Sequence, residues 1–509
     1  MRLNGRAARI WLVITLGFSV PATSVAAGPT PSLDPEHLGE WQTLDAELSF
    51  TPIHAALLHT GKVWLGAGSG NDKANFEAGD FRSFVLDPVA DSAVEVATPW
   101  DLFCAGQSFL PDGRLLVAGG TAEYPEIWPG SILFHGSRQA YAFDPISETY
   151  TALPAMHAGR WYPTLVTLGT GRIYAMAGID ESAGEMNVQP EVFTPIGPQW
   201  IERPATDPWP TYPALFVTRG GRLFYSGGNV FPNVFGITLP PAGFLDVRTG
   251  DLMPVTGLSE PGARDQSASV LLPPAQRQRV MIMGGGSLPS GDSLDNVDII
   301  DLTAAQPAYV PGPPMLHARM HVNAVLLPDR NVFITGGAAG REMDPVYESE
   351  MYDPVANAWS AAASSRIARM YHSFALLLPD GRVLVGGSNP PDMDPELRLE
   401  IYSPPYMFAG ARPAIDEAPS AADYGDKIRI QTTQAGPTKW VSLIKPSAAT
   451  HSLDTEQRVV DVHFRQVTRT GSLELKIPSD PNLAPPGWYM LFVTNADGVP
   501  SEASWIKIG

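Results

Sequence analysis

Cys104 is the only cysteine among 509 residues. It stands in "DLFCAGQSFLPDGRLLVAGG", seven residues before the proline of a Pro-Asp-Gly turn. The same offset before each comparable turn picks out Pro52, Cys104, Tyr162, Tyr212, Gln266, His321 and His372, with Tyr371 directly before the last. Thiol, phenol and imidazole groups can bind a soft or borderline metal or carry redox chemistry. Imidazole together with phenolate suits Cu(II), which favours tetragonal nitrogen and oxygen ligands. Such a site commonly takes two imidazoles. His372 supplies one, and both His321 and His451, the latter in the polar segment "AATHSLDTEQR", are candidates for the second. Singly, each residue has a plainer use, as a small buried hydrophobe, core packing or channel lining. Coincidence at one repeat position is what argues for chemistry.

The elements that must position them form a repeat. "KVWLGAG" (62–68), "RLLVAGG" (114–120), "RIYAMAG" (172–178), "RLFYSGG" (222–228), "RVMIMGG" (279–285), "NVFITGG" (331–337) and "RVLVGGS" (382–388) read as strand-like runs ending in a glycine doublet or a near miss. Their period is about 50 residues, that of kelch propeller blades. Turns of the type "LPDGR" precede most of them, and strands such as "YAFDPISETY" or "EMYDPVANAW" follow several. Seven such units predict a seven-bladed kelch-type β-propeller over residues 40–408, after an N-terminal segment 28–39. Equivalent positions of successive blades then form a ring around the central axis. Over 409–509 the short alternating runs "KIRIQTT", "KWVSLIKP", "VVDVHFRQV", "LELKIP" and "GWYMLFVTN" predict an immunoglobulin-like β-sandwich. The fold class expected is all-β.

Bulk properties narrow the partners. A net charge of −19 argues against nucleic acid or an anionic membrane as a partner. Arg2, Arg6 and Arg9, then "IWLVITLGFSV", then "SVAA", follow the order of a secretory signal cleaved near Ala27. A periplasmic or secreted monomer without a membrane span is expected.

"FCAGQSFLPDGRLLVAGG", "GRWYPTLVTLGTGRIYAMAG", "ARMYHSFALLLPDGRVLVGG", "SLIKPSAATHSLDTEQR" and "PPGWYMLFVTNADGVPS" resemble the galactose oxidase and glyoxal oxidase family of copper radical oxidases. The resemblance covers essentially the whole chain after the signal. It implies one copper ion and a thioether joining Cys104 to Tyr162, whose modified ring stores a radical. It assigns Tyr162 and His372 as equatorial ligands and His451 as the second histidine, rather than His321. Tyr371 takes the place of the axial tyrosine and general base. The implied reaction oxidises a primary alcohol or small aldehyde, or a carbohydrate, with O2, giving an aldehyde or acid and hydrogen peroxide. The alternative is a non-catalytic propeller that binds glycans or cell-surface partners.

The chain departs from galactose oxidase in places. The stretch "AMAGIDESAGE" lacks the tryptophan that stacks there on the thioether-linked tyrosine, and Trp128 and Trp209 are candidates to fill the space. Arg264 is the candidate sugar-binding arginine, although out of register. His321, Tyr212 and Gln266 complete the expected substrate pocket. "RWYP" points to the glyoxal oxidase branch.

Overall fold

Strand-forming runs separated by Pro-Asp-Gly and Asp-Pro turns fold into antiparallel hairpins, because those turn residues preset the reversals between them. The computed structural model describes residues 34–126, 133–182, 184–231, 238–287, 291–340, 344–389, 394–433, 436–467 and 471–509. The expected signal over 1–27 lies outside the described residues. Six four-stranded sheets and one six-stranded sheet make up the seven blades. Their innermost strands are His54–Leu57, Ala105–Phe109, Thr164–Thr167, Leu215–Val217, Ala268–Leu271, Asn323–Leu326 and Ser373–Leu377. The N-terminal strand Glu40–Thr43 pairs with Glu400–Ser403 and so becomes the outer strand of the last blade.

Beyond the propeller lies an eight-stranded arrangement, the sandwich expected from the sequence. The long strand Val459–Val467 serves both of its sheets. Its first half pairs with Val441–Ile444 and its second half with Ser472–Lys476. A strand that changes sheet in this way folds one layer over the other. Ile430, Val441, Leu443, Val460, Leu473, Tyr489 and Leu491 fill the space between the layers, fully buried.

The sandwich also reaches into the propeller. A hairpin made of Ala448–Thr450 and Leu453–Asp454 adds to the inner edge of the first blade, with Thr450 opposite His54. That addition is why the first blade has six strands. Four buried ion pairs brace the blades near the ring positions: Arg160–Glu191, Arg264–Asp298, Arg319–Glu350 and Arg369–Glu400. Each arginine precedes its ring residue by two or three positions.

Candidate metal centre

The ring positions share a backbone conformation. Cys104, Tyr162, Tyr212, Gln266, His321 and His372 all have left-handed φ, between 43° and 65°. Each turns the chain sharply from the approach loop into the inner strand. Left-handed backbone costs a non-glycine residue on the order of 1–2 kcal/mol, so six occurrences need a common restraint. Part of it is a belt of main-chain bonds. The Tyr162 N–H donates to the Cys104 carbonyl (2.9 Å), Tyr212 to Tyr162 (3.0 Å), and His321 to Gln266 (2.9 Å). Pro52, the seventh position, is the exception, because its ring holds φ near −65°.

The sandwich hairpin inserts at the same level. His451 and Ser452 form its two-residue turn, with φ of 47° and 65°. Two positive φ values define the type I′ reversal, which matches the twist of the strands and favours asparagine and glycine. The segment behind the turn is held from several blades. Glu456 accepts from Ser108 Oγ (2.5 Å) and Thr167 Oγ1 (2.8 Å) and is ion-paired to the buried Lys445. The Gln457 side chain accepts from the Leu326 N–H (3.0 Å) and donates to the Ala324 carbonyl (2.8 Å). "DTEQR" is therefore the anchor of the hairpin.

Five side chains converge in a buried cluster. The Tyr162 and Tyr371 hydroxyls are 2.5 Å apart, and His451 Nε2 lies 3.0 Å from the Tyr162 hydroxyl. The His372 and His451 rings stand perpendicular with centroids 4.6 Å apart. The Cys104 sulfur and one nitrogen each of His372 and His451 lie within 4.8 Å of one another. Cys104 is also within hydrogen-bonding reach of the Tyr162 side chain.

The protonation states fit a cation. Burial drives His372 and His451 well below the usual imidazole range, so both are neutral and carry a lone pair. Both His372 nitrogens are buried without a hydrogen-bond partner. Thr450 Oγ1 donates to the Ile53 carbonyl (3.4 Å) and lies 2.6 Å from His451 Nδ1. That network assigns the His451 proton to Nδ1 and leaves Nε2 free as a ligand. Burial, together with the neighbouring Cys104 and Tyr371, pushes the Tyr162 phenol well above its ordinary value. A bound cation would reverse that shift. Burial likewise raises the Cys104 thiol, so it is not a free nucleophile. Two phenol oxygens and two imidazole nitrogens form a donor set suited to copper(II).

Residues 70–406 match the glyoxal oxidase N-terminus family, and residues 412–508 the galactose oxidase-like Early set domain. The chain belongs to the galactose oxidase and glyoxal oxidase family of copper radical oxidases. Among its relatives is galactose oxidase of Gibberella zeae, 28% identical over 92% of this chain and 71% of that one. The aldehyde oxidase GLOX of Vitis pseudoreticulata is 27% identical, over 92% of this chain and 97% of that one. A WSC domain-containing protein of Arthroderma benhamiae is 32% identical over 90% of this chain, which spans about half of its length (51%). The fold resembles that of a fungal alcohol oxidase in complex with copper, with TM-score 0.79 and 23% identity over 93% of this chain and 100% of that one.

Within this copper radical oxidase fold, two expected pocket residues, Arg264 and Trp209, fall elsewhere. Arg264 is fully buried; it donates to the carbonyls of Ser259, Gly284 and Asn296 at 3.1 Å each and is ion-paired to Asp298. It is a strut of its blade, not a sugar ligand. Trp209 packs on Tyr225 (4.9 Å) within the core of the third and fourth blades, away from Tyr162. Trp128 lies outside the described residues. Among the described residues, the tryptophan beside Tyr162 is its chain neighbour Trp161, edge-on at 3.9 Å and stacked on Phe134 at 4.4 Å.

The remaining ring residues do reach the cluster's surroundings. Tyr212 lies edge-on to Tyr162 (4.5 Å), and its hydroxyl donates to the Ala105 carbonyl (2.6 Å). His321 approaches Tyr371, with ring centroids 5.4 Å apart. Gln266 is buried, and neither of its amide atoms has a hydrogen-bond partner. Sequence reading missed His54, which is fully buried with its ring 6.2 Å from His451. Burial pushes the His54 imidazole down to about 3, so it too is neutral. The repeat register gave no signal for it, since it lies two residues past the ring position.

Proposed function

We propose that the chain is a secreted mononuclear copper radical oxidase that converts a primary alcohol or small aldehyde, with O2, into an aldehyde or acid and H2O2. What supports this reading most is one arrangement: two phenols 2.5 Å apart, flanked by two neutral imidazoles and the only thiol. Tyr162, Tyr371, His372 and His451 would hold the metal. Copper, when bound, supplies a one-electron acceptor and a Lewis acid for the substrate hydroxyl.

The protein residues supply the rest. Tyr162 stores the second oxidising equivalent, made accessible by the electron-rich sulfur of Cys104 joined to its ring. Tyr371 accepts the hydroxyl proton, acting as general base. The tight surroundings of Tyr162, with Trp161, Phe134 and Tyr212 packed about it, keep water from the radical. For an alcohol the balance is RCH2OH + O2 giving RCHO + H2O2.

The thioether tests the reading. Its formation removes one hydrogen from the Cys104 sulfur and one from the Tyr162 ring, with O2 accepting both. Copper loading in air should yield a Cys104–Tyr162 linked peptide two hydrogens lighter than its two parts. A free Cys104 thiol after that treatment would leave only a propeller that binds glycans or surface partners.

A further inference from the structure

A ring that stores an oxidising equivalent has to give up an electron to be charged. Tyr162 is fully buried, so a bulky one-electron reagent cannot touch it, and the electron must leave through side chains. Tryptophan and tyrosine rings serve for this, because each can be oxidised briefly and reduced again.

A line of aromatic rings leads outward from Tyr162. Trp161 stands edge-on to it at 3.9 Å and stacks on Phe134 at 4.4 Å. Phe134 meets Tyr124 edge-on at 4.8 Å, and Tyr124 meets Phe76 at 5.0 Å. Phe103 flanks the same line, 6.3 Å from Trp161 and 6.2 Å from Tyr124. Phe76 is half-buried on the short helix Lys73–Ala78, beside the exposed Glu77 and Ala78. Tyr124 therefore lies one ring beneath the surface.

The two oxidisable rings outside the metal cluster differ in the fate of their proton. The Trp161 indole N–H is buried without a hydrogen-bond partner, so that ring can pass a positive charge but not keep it. The Tyr124 hydroxyl lies 2.8 Å from Ser69 Oγ, which donates to Asp101 Oδ2 at 2.8 Å. The one hydroxyl proton of serine is already given to the carboxylate, so Tyr124 is the donor in the first bond. Asp101 Oδ1 accepts from the N–H groups of Ser69 (2.7 Å) and Phe103 (3.0 Å), which fixes the carboxylate in place. No cation neutralises Asp101 among the described residues, and burial pushes its carboxyl up to about 6. It can therefore take up a proton and return it. A buried phenol that loses an electron must lose its proton as well, and Ser69 with Asp101 receives it.

Resting on the copper-oxidase reading above, we infer that Tyr124 is a second redox-active tyrosine, the relay through which a one-electron oxidant outside the protein charges Tyr162. In the first step Tyr124 gives its electron to the oxidant and its proton, through Ser69, to Asp101. In the second, Tyr162 passes an electron along Trp161 and Phe134 to Tyr124, and Asp101 returns the proton. Tyr162, deprotonated as a metal ligand, becomes a neutral radical. The net change is one electron moved from Tyr162 to the oxidant. The second step runs downhill, because the Cys104 sulfur makes its ring easier to oxidise than a plain phenol.

The test mixes copper-loaded protein with hexachloroiridate, an outer-sphere one-electron oxidant, and follows the Tyr162 radical by stopped-flow absorption and EPR. Tyr124→Phe and Asp101→Asn should each form it about 10²-fold more slowly than wild type, the low end of what a positioned proton acceptor contributes. The equilibrium potential of the Tyr162 couple should not move. An equal rate in Tyr124→Phe overturns the inference, as does a slower rate that comes with a shifted potential. A second readout needs neither copper nor the thioether. In Cys104→Ser the charge should stop at Tyr124, and a fluorotyrosine in its place should show fluorine hyperfine splitting by EPR. Absence of that signal overturns the relay. The signal without any Tyr162 radical in copper-loaded wild type keeps the relay and removes the oxidase reading instead.

Discussion

The Tyr371 hydroxyl sits 2.5 Å from that of Tyr162, although 209 residues separate them in the chain. Two phenols this close share a proton or a cation, and their contact places the proposed base against the proposed radical ring. Tyr371→Phe should therefore lower turnover by about 10²–10⁴-fold, the usual contribution of a general base. Copper content by elemental analysis should stay near that of wild type. Unchanged turnover would remove Tyr371 from the proton path.

His451 reaches the propeller only through the inserted hairpin. His451→Ala should weaken copper binding by more than about 10–100-fold, beyond the loss seen when a supporting residue is changed. Chelator competition measures it. Unchanged affinity would show that His321 or His54 completes the set.

The turn that carries His451 has Ser452 at φ 65°. Glycine bears that conformation without a steric penalty. Ser452→Gly should raise the stability of the copper-free protein by up to about 1 kcal/mol. The thermal midpoint should rise while copper affinity is preserved. A lower midpoint would mean that the serine side chain contributes more than its backbone costs.

Arg264→Met leaves Asp298 buried without its cation, at a cost of about 3–5 kcal/mol. Denaturant unfolding should show that loss. The ratio of activities on galactose and on a simple primary alcohol should not move, since the guanidinium is spent inside its blade. A shifted ratio would return Arg264 to the substrate pocket.

Asp101 offers a test of electrostatics close to the thiol. Burial pushes its carboxyl up to about 6, against bonds from Ser69 and the Phe103 N–H that pull the other way. The folded protein then holds a proton that the unfolded chain releases near pH 4. The Asp101 contribution to stability should fall as pH rises from about 4 to about 6, by about 3 kcal/mol. The unfolding free energy of wild type minus that of Asp101→Asn should fall by that amount over the interval. A flat difference would show that the carboxyl stays ionised throughout.

Much of the fold was legible because repetition multiplies weak signals. One glycine doublet carries nothing, whereas seven strand-like runs in register, five of them with a doublet, located the blades and put Cys104, Tyr162, His321 and His372 at one level. The structure adds why that offset matters: the ring residue is where the chain bends through left-handed φ into the inner strand. Resemblance was needed to choose His451 over His321, since no repeat relates a sandwich loop to a blade. The rim was less legible. Trp161 packs in a direction set by an irregular turn, and Arg264 looked available because its partner Asp298 lies 34 residues on. Pairing of that kind leaves no local pattern.

The hairpin that lengthens the first blade has a consequence for biosynthesis. In the proposed centre the last imidazole is also the last in chain order, and it arrives on a hairpin of the C-terminal domain. A half-made chain can present both phenols and one imidazole without being able to grip the metal. On that reading the centre would become oxidising only once the C-terminal hairpin has docked on the first blade.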